Sequence, residues 1–207
     1  MSTIYLIRHG EIPQSRPRRF VGGQDLPLTD NGRAQIARLA QTLGDRAIKK
    51  ILCSTLCRSV ESARILALHL GLETAQELSE FREIGLGAWE GLTVDEVRAS
   101  FPGCYEARGR NIAAFRPEGG ESFADLQARA WPAFLAATAN EDERLAIVAH
   151  AGVNRVLLCR ILGMPLENLF LLEQHYGCLN VVHREQAGFR VESINIIEFR
   201  SQKTEDR

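Results

Sequence analysis

The stretch Ile4-Tyr5-Leu6-Ile7-Arg8-His9-Gly10-Glu11 places four consecutive apolar residues directly before an arginine, a histidine and a glycine. Such a run is typical of a strand that is buried on both faces in a parallel sheet. In open α/β sheets, ligands bind at the edge where such strands end. The stretch therefore predicts a cation and an ionisable nucleophile or base at the ligand edge of an α/β fold.

A second junction of the same form lies late in the chain. Residues 145–149 (Leu-Ala-Ile-Val-Ala) predict another buried strand, which runs into His150-Ala151-Gly152. A helix is expected after it, from about Val153 to Leu162, because Gly163 and Pro165 then end the helical pattern. The repeated layout predicts that His9 and His150 meet at one edge of the sheet.

Arg58 is expected at the same edge, because it follows a predicted strand at 48–53 and lies in the first turn of a predicted helix at 56–70. A cation is disfavoured at a helix N-terminus, where the helix dipole is already positive, unless an anion completes the site. The alternative is a surface arginine paired with Glu61 or another acid.

The remaining pattern predicts a three-layer α/β/α fold with a mostly parallel sheet and a C-terminal antiparallel hairpin. Thr29, Thr93 and Ser122 are predicted helix N-caps, and residues 178–184 and 189–197 alternate around a turn as a hairpin does. We expect one domain over residues 1–207. Residues 81–120 are predicted to form a cap over the site, with only weak helical periodicity from 102 to 120.

Composition limits the classes of function. The chain has 207 residues, 45% hydrophobic, and a formal net charge of −1, which gives no bias toward nucleic acid or acidic membranes. Lysine occurs only at 49, 50 and 203, so the basic residues are mostly arginines, which suit small anionic ligands. Five cysteines without metal spacing favour free thiols over a zinc site. With no leader pattern and no apolar run of membrane length, a cytoplasmic protein without membrane contact is expected.

Common catalytic motifs are absent, and this narrows the chemistry. The chain has no Gly-x-Ser-x-Gly elbow and no P-loop ending, and Gly85 and Gly87 lack the third glycine of a dinucleotide motif. Phosphoryl transfer to a histidine does fit, because a neutral imidazole is nucleophilic near pH 7. Arginines and a second imidazole then bind the phosphoryl oxygens, and a carboxyl group moves the proton.

A set of ordered motifs from about residue 3 to 184 resembles the histidine phosphatase (phosphoglycerate mutase-like) superfamily. Within it, the chain is most similar to the α-ribazole phosphatase and small broad-range phosphatase branch. The motifs are Arg8-His9-Gly10-Glu11, Pro27 to Gly32, Ser54-x-x-x-Arg58, Phe81-Arg82-Glu83, Gly87-x-Trp89-Glu90-Gly91, Gly119 to Ser122 and His150-Ala151-Gly152.

The resemblance implies a role for each matching position. His9 is the expected phosphorylated nucleophile, Glu83 the proton donor and then the base, and no metal or organic cofactor is implied. The groups expected to bind the phosphoryl group are Arg8, Arg58 and His150. The substrate-binding set is completed by Gln14, Ser15, Gly23, Ala151 and Gly152.

Several alternatives stay open for these residues. The alternative for Glu83 is a structural role, in which its carboxylate binds Arg82 or a backbone amide of the loop. Glu90 is the alternative proton donor, although it matches a structural position in the family. Ile12 stands where the family often has Thr or Ser. Ser15, with Gln14 beside it, stands where it often has Asn, and this difference bears on the substrate more than on the chemistry.

The function expected is that of a phosphomonoesterase acting on a small phosphorylated metabolite, with α-ribazole phosphate as one candidate. The first alternative is a phosphoglycerate mutase, for which a longer insert before His150 and a longer tail are expected. The second is a phosphate-ester binding module, which needs neither nucleophile nor acid. The alternating hairpin is either a homodimer edge or a strand pair packed on its own sheet.

Overall fold

A six-stranded sheet forms the centre of the computed structural model, which describes residues 2–73, 75–140 and 144–197. The strands are β1 (Ser2–Arg8), β2 (Lys50–Cys53), β3 (Gln76–Glu77), β4 (Arg144–Ala149), β5 (Leu179–Glu185) and β6 (Gly188–Ile196). Their order across the sheet is β3-β2-β4-β1-β5-β6. The first four strands run parallel to one another, β5 runs antiparallel to its neighbour β1, and β6 runs antiparallel to β5. The predicted mixed sheet with a closing hairpin is confirmed.

Helices cover both faces of this sheet. They are α1 (Asp30–Leu43), α2 (Cys57–Leu70), α3 (Val94–Ser100), α4 (Cys104–Arg110), α5 (Phe123–Ala137) and α6 (Ala151–Leu162). Side chains alternate along β1, so Tyr5 and Ile7 pack with α1 and α2 while Ile4 and Leu6 pack with α5 and α6. The two separate cores make the predicted three-layer α/β/α arrangement.

Local sequence signals explain where most helices begin. Thr29 caps α1 by accepting a hydrogen bond from the Gly32 N–H, and Thr93 and Ser122 each form the predicted capping box with the acid three residues later. No helix in the described ranges is both long and apolar enough to cross a membrane. The charged tail after residue 199 lies outside the described residues.

Two details of the helices go beyond what the sequence predicts. Residues 102–120 include the helix α4, which begins after Gly103 in the left-handed conformation. Helix α6 begins at Ala151 rather than near Val153, because a carboxylate from another part of the chain accepts a hydrogen bond from the Gly152 N–H in its first turn.

Candidate active site

The strand pairing brings the two predicted histidines together. Strands β1 and β4 are parallel neighbours with Arg8 opposite Ala149, so the residues that follow them emerge at the same edge. The His9 N–H donates to the Ala149 carbonyl at 3.0 Å, and the ring centroids of His9 and His150 lie 5.1 Å apart. The convergence expected from the sequence is present.

His9 is a buried, neutral imidazole with a defined tautomer. Its Nδ1 lies 2.7 Å from the Gly10 carbonyl, which only accepts, so Nδ1 carries the proton. Burial, reinforced by the charges of Arg8 and Arg58, lowers the pKa of His9 well below its usual value of 6.5. The lone pair of Nε2 is therefore available for nucleophilic attack at neutral pH.

Arg8 and Arg58 are held beside His9 by backbone carbonyls. The Arg8 guanidinium carbon lies 3.7 Å from the ring centroid of Tyr176, and its Nη1 donates to the Gln174 carbonyl at 2.5 Å. Arg58 is 1% exposed and donates to the carbonyls of Gln24 and Gly22 at 2.5 and 3.0 Å. Within the described residues, neither arginine has a carboxylate at ion-pair distance. The site is thus electropositive.

His150 is fully buried, and burial lowers its pKa well below 6.5, with the charges of His9, Arg58 and Arg8 adding to the shift. Its Nε2 lies 2.8 Å from the Ser54 hydroxyl, which also accepts a hydrogen bond from the Leu56 N–H. We assign the Ser54 hydroxyl as the donor to Nε2, an arrangement that places the imidazole proton on Nδ1. That Nδ1 is buried and has no hydrogen-bond partner in the described part of the chain.

Glu83 reaches the same edge from the loop that follows the short 3-10 turn Ser79–Phe81. Its two carboxylate oxygens accept from the Ile84 N–H at 3.0 Å and from the Gly152 N–H at 3.1 Å. A Cβ at Gly152 would lie 2.3 Å from the carboxylate, so glycine is needed at this close approach. Arg129 of α5 holds the loop by donating to the Glu80 and Glu83 carbonyls. The acid is therefore anchored to the first turn of the helix that follows His150.

Glu90, the rival acid, has a different surrounding. One of its carboxylate oxygens accepts from the Gly23 N–H at 2.8 Å and from the Leu86 N–H at 3.0 Å. It therefore ties the loop before α1 to the loop after Glu83. The backbone N–H of Gly23, which the sequence placed in the substrate-binding set, is occupied by this internal bond.

The other predicted binding residues are spread around the site. Ala151 opens α6 directly after His150, and the Gly152 N–H is engaged by Glu83. Gln14 is exposed and donates to the Tyr176 hydroxyl at 2.6 Å, while the exposed Ser15 donates to the Pro17 carbonyl at 3.0 Å. Both therefore lie on the loop that follows His9, with side chains bound within the protein.

Two contacts at the site were not predicted from the sequence. Tyr176 packs its ring on Arg8 and lies 5.6 Å, between centroids, from the His9 ring. Ser54 belongs to the Ser54-x-x-x-Arg58 motif, but the sequence does not predict its hydrogen bond with His150. No local signal marks either contact, because each joins residues that are far apart in the chain.

The comparison with known families settles the class. The model of the histidine phosphatase superfamily, branch 1, matches residues 4–197. The chain belongs to this superfamily. Glucosyl-3-phosphoglycerate phosphatase of Mycobacterium tuberculosis is 32% identical over 80% of this chain and 77% of its own length. Phosphoglycerate mutase-like protein 4 of Arabidopsis thaliana is 33% identical over 74% of this chain and 68% of its own.

Solved structures of the superfamily have the same fold. The α-ribazole phosphatase of Shigella flexneri superimposes with a TM-score of 0.85 at 26% identity, over 94% of this chain and 96% of that one. The predicted family, fold and enzyme class, a phosphomonoester hydrolase, are confirmed.

Proposed function

We propose that this histidine phosphatase hydrolyses phosphate monoesters through a phosphohistidine on His9. One observation carries the proposal. Three buried nitrogen atoms, Arg8 Nε, Arg58 Nε and His150 Nδ1, have no hydrogen-bond partner in the described residues, and they belong to the side chains around His9. Buried donors are normally paired, so three together indicate that a ligand rich in oxygen acceptors completes the site.

The residues divide the reaction between them. His9 Nε2 attacks the phosphorus atom, and the bond from phosphorus to the ester oxygen breaks as Glu83, in its acid form, protonates that oxygen. Water then attacks the phosphorus atom of the phosphohistidine, Glu83 takes the water proton, and the bond from phosphorus to His9 Nε2 breaks, which releases inorganic phosphate. Arg8, Arg58 and His150 stabilise the charge on the equatorial oxygens in both steps.

The substrate is a small phosphate ester, and residues 81–120 are proposed as the cap that surrounds its leaving group. The names of the relatives suggest two candidate substrates, α-ribazole phosphate and glucosyl-3-phosphoglycerate. A phosphoglycerate mutase is the second candidate, because several relatives are named as probable phosphoglycerate mutases or as mutase-like. A cytoplasmic location and a homodimer through the β5–β6 hairpin stay proposals.

The test is phosphate release from a panel of phosphate monoesters, with chelator present, by the wild type and His9→Ala. We expect turnover by the wild type, a loss of at least about 1,000-fold in His9→Ala, and an acid-labile phosphoenzyme in the wild type alone. The exposed His69 of α2 gives the control His69→Ala, which should keep full activity. Equal turnover by wild type and His9→Ala would overturn the proposal.

The mutase alternative has its own assay. Interconversion of 2- and 3-phosphoglycerate in the presence of 2,3-bisphosphoglycerate, at a rate above that of phosphate release, would favour the mutase. Phosphate release without interconversion would favour the phosphatase, because a phosphatase gives the phosphohistidine to water rather than to a second alcohol.

A further inference from the structure

Residues 102–120 of the proposed cap contain three arginines with different surroundings. Arg116 forms two hydrogen bonds with the Asp125 carboxylate, at 2.9 and 2.7 Å. Arg110 is exposed, and its charge acts on the nearby Glu106. The side chain of Arg108 is partly buried, and within the described residues it has neither a hydrogen-bond acceptor nor an acid partner. Among these three, Arg108 is therefore the arginine that has no close carboxylate in the part of the chain that the structure describes.

Two aromatic rings line the position of Arg108. Its guanidinium carbon lies 5.9 Å from the ring centroid of Phe123 and 5.8 Å from that of Phe170. The two rings meet edge-on with their centroids 5.7 Å apart, and Phe123 is buried while Phe170 is 50% exposed. The half-exposed ring places this cluster at the surface, where a ligand has access.

A second arginine shares the Phe170 ring. The guanidinium carbon of Arg155 lies 5.3 Å from its centroid, and Arg155 Nε donates to the Leu172 carbonyl at 2.8 Å. Arg155 belongs to α6, about one turn after Gly152, whose N–H donates to the Glu83 carboxylate at 3.1 Å. The cluster of Arg108, Arg155, Phe123 and Phe170 therefore adjoins the catalytic groups.

The electrostatics of this cluster are unfavourable without an anion. Burial lowers the pKa of both Arg108 and Arg155, which means that part of their hydration is lost. No acid in the described part of the chain forms an ion pair with either, whereas Arg116 and Arg129 each pair with a carboxylate. A bound anion offsets the cost of this lost hydration at each guanidinium group.

We propose that Arg108 and Arg155, with the rings of Phe123 and Phe170, form a subsite for a second anionic group on the leaving alcohol of the substrate. The proposal rests on the proposed function and narrows it to phosphate monoesters whose alcohol carries a carboxylate or a second phosphate. The planar fork of arginine matches the oxygens of both groups. The aromatic rings then contact the carbon atoms between the two anionic groups.

Matched pairs of esters test the subsite. 3-Phosphoglycerate and glycerol 3-phosphate differ only in a carboxylate against a hydroxymethyl group, while fructose 1,6-bisphosphate and fructose 6-phosphate test a second phosphate. For wild type, we expect kcat/KM to favour the doubly anionic member of at least one pair by about tenfold or more. The pair that shows the preference names the anionic group, and no preference in either pair would overturn the proposal.

Substitutions assign the preference to residues. Arg108→Gln and Arg155→Gln should each lower the ratio of the two kcat/KM values toward one, because each removes one cation. Arg110→Gln, on the same helix as Arg108 but exposed, is the matched control and should leave the ratio unchanged. Equal losses on both members of a pair in Arg108→Gln would contradict a role in selecting the anion.

A binding measurement separates this proposal from the proposed function. Calorimetric titration of His9→Ala with 3-phosphoglycerate and glycerol 3-phosphate, and with the fructose pair, reads the subsite without turnover. Tighter binding of a doubly anionic ester, lost on adding Arg108→Gln, would support the subsite even if no ester were hydrolysed, in which case only the phosphatase mechanism fails. Equal binding of both members in both pairs would overturn the subsite, whatever the activity.

Discussion

At the scale of single residues, the catalytic edge depends on where protons sit on two imidazoles. The Gly10 carbonyl fixes the proton of His9 on Nδ1, and the Ser54 hydroxyl fixes that of His150 on Nδ1. The first arrangement leaves the Nε2 lone pair of His9 for the proposed nucleophilic attack, and the second gives His150 a buried N–H, which is the proposed donor to the phosphoryl group. The Gly10 carbonyl and the Ser54 hydroxyl thus give the two imidazoles different proposed roles, His9 as the nucleophile and His150 as a hydrogen-bond donor.

Removal of the Ser54 hydroxyl tests this assignment. In Ser54→Ala, Nε2 of His150 loses its donor and the imidazole is free to take the other tautomer, so kcat should fall about tenfold. Steady-state kinetics with p-nitrophenyl phosphate measures the loss, and ¹⁵N shifts of the histidine rings read the tautomer. Thr138→Val, equally buried but bonded to the Phe134 carbonyl within its own helix turn, is the control. An unchanged tautomer would refute the role of Ser54.

At the scale of elements, the first turn of α6 holds the proposed acid. Helix N-termini present unpaired N–H groups, and the Glu83 carboxylate accepts one of them at Gly152. The helix thereby gains a capping partner, and the acid gains a fixed position beside His150. The same bond serves the stability of the helix and the geometry of the site.

Gly152→Ala separates these two effects. The added methyl group takes the position of the Glu83 carboxylate, so kcat should fall about 100-fold, as expected when a general acid is displaced. Folding should survive, because alanine favours a helix over glycine by about 1 kcal/mol. Kinetics and thermal unfolding measure the two effects. Gly109→Ala in α4, where a Cβ meets open space, is the control and should keep kcat. A full kcat in Gly152→Ala would contradict the placement of the acid.

At the scale of the whole molecule, the burial of two neutral histidines links stability to pH. The pKa values of His9 and His150 lie well below 6.5 in the folded chain, while the unfolded imidazoles titrate near 6.5. As the pH falls below 6.5, the unfolded chain binds protons that the native chain does not. The free energy of unfolding should therefore fall by up to about 1.4 kcal/mol per pH unit for each imidazole, and not change from this cause above that pH.

Urea unfolding at pH 7.5, 6.5 and 5.5 checks the sign and the size of this effect. Variants with His9→Asn or His150→Asn should each lose part of the slope between pH 6.5 and 5.5, and the double variant should lose more. An unchanged slope in the double variant would show that other groups cause the acid sensitivity.

Much of the fold was predictable because its signals are local. Four apolar residues before Arg8 mark β1, Thr29 and Gly44 bound α1, and the pattern around residues 186–188 marks the hairpin. These features depend on neighbours within a few residues, which the sequence displays directly. The same holds for Arg8, His9, Arg58 and His150, since each follows a strand or opens a helix at the same edge.

The rest depends on contacts between distant segments. Helix α4 has a short, weakly periodic sequence, and it is stabilised by contacts with α3, such as the hydrogen bond from Arg98 to Glu106. The amides of Gly23 and Gly152 looked free for substrate, but Glu90 and Glu83 reach them from loops more than 60 residues away. The pairing of Ser54 with His150 likewise needs the order of the strands, which no local pattern contains.

The order of the sheet also has a consequence for how the protein is made. In the sheet, β1 pairs with β4 and β5, and both of its partners follow residue 143 in the chain. The ribosome therefore releases the strand that carries the nucleophile long before either flanking strand exists. An unpaired apolar strand is prone to wrong association, so β1 needs protection through most of translation. The first strand to be synthesised is thus among the last to form its hydrogen bonds with neighbouring strands.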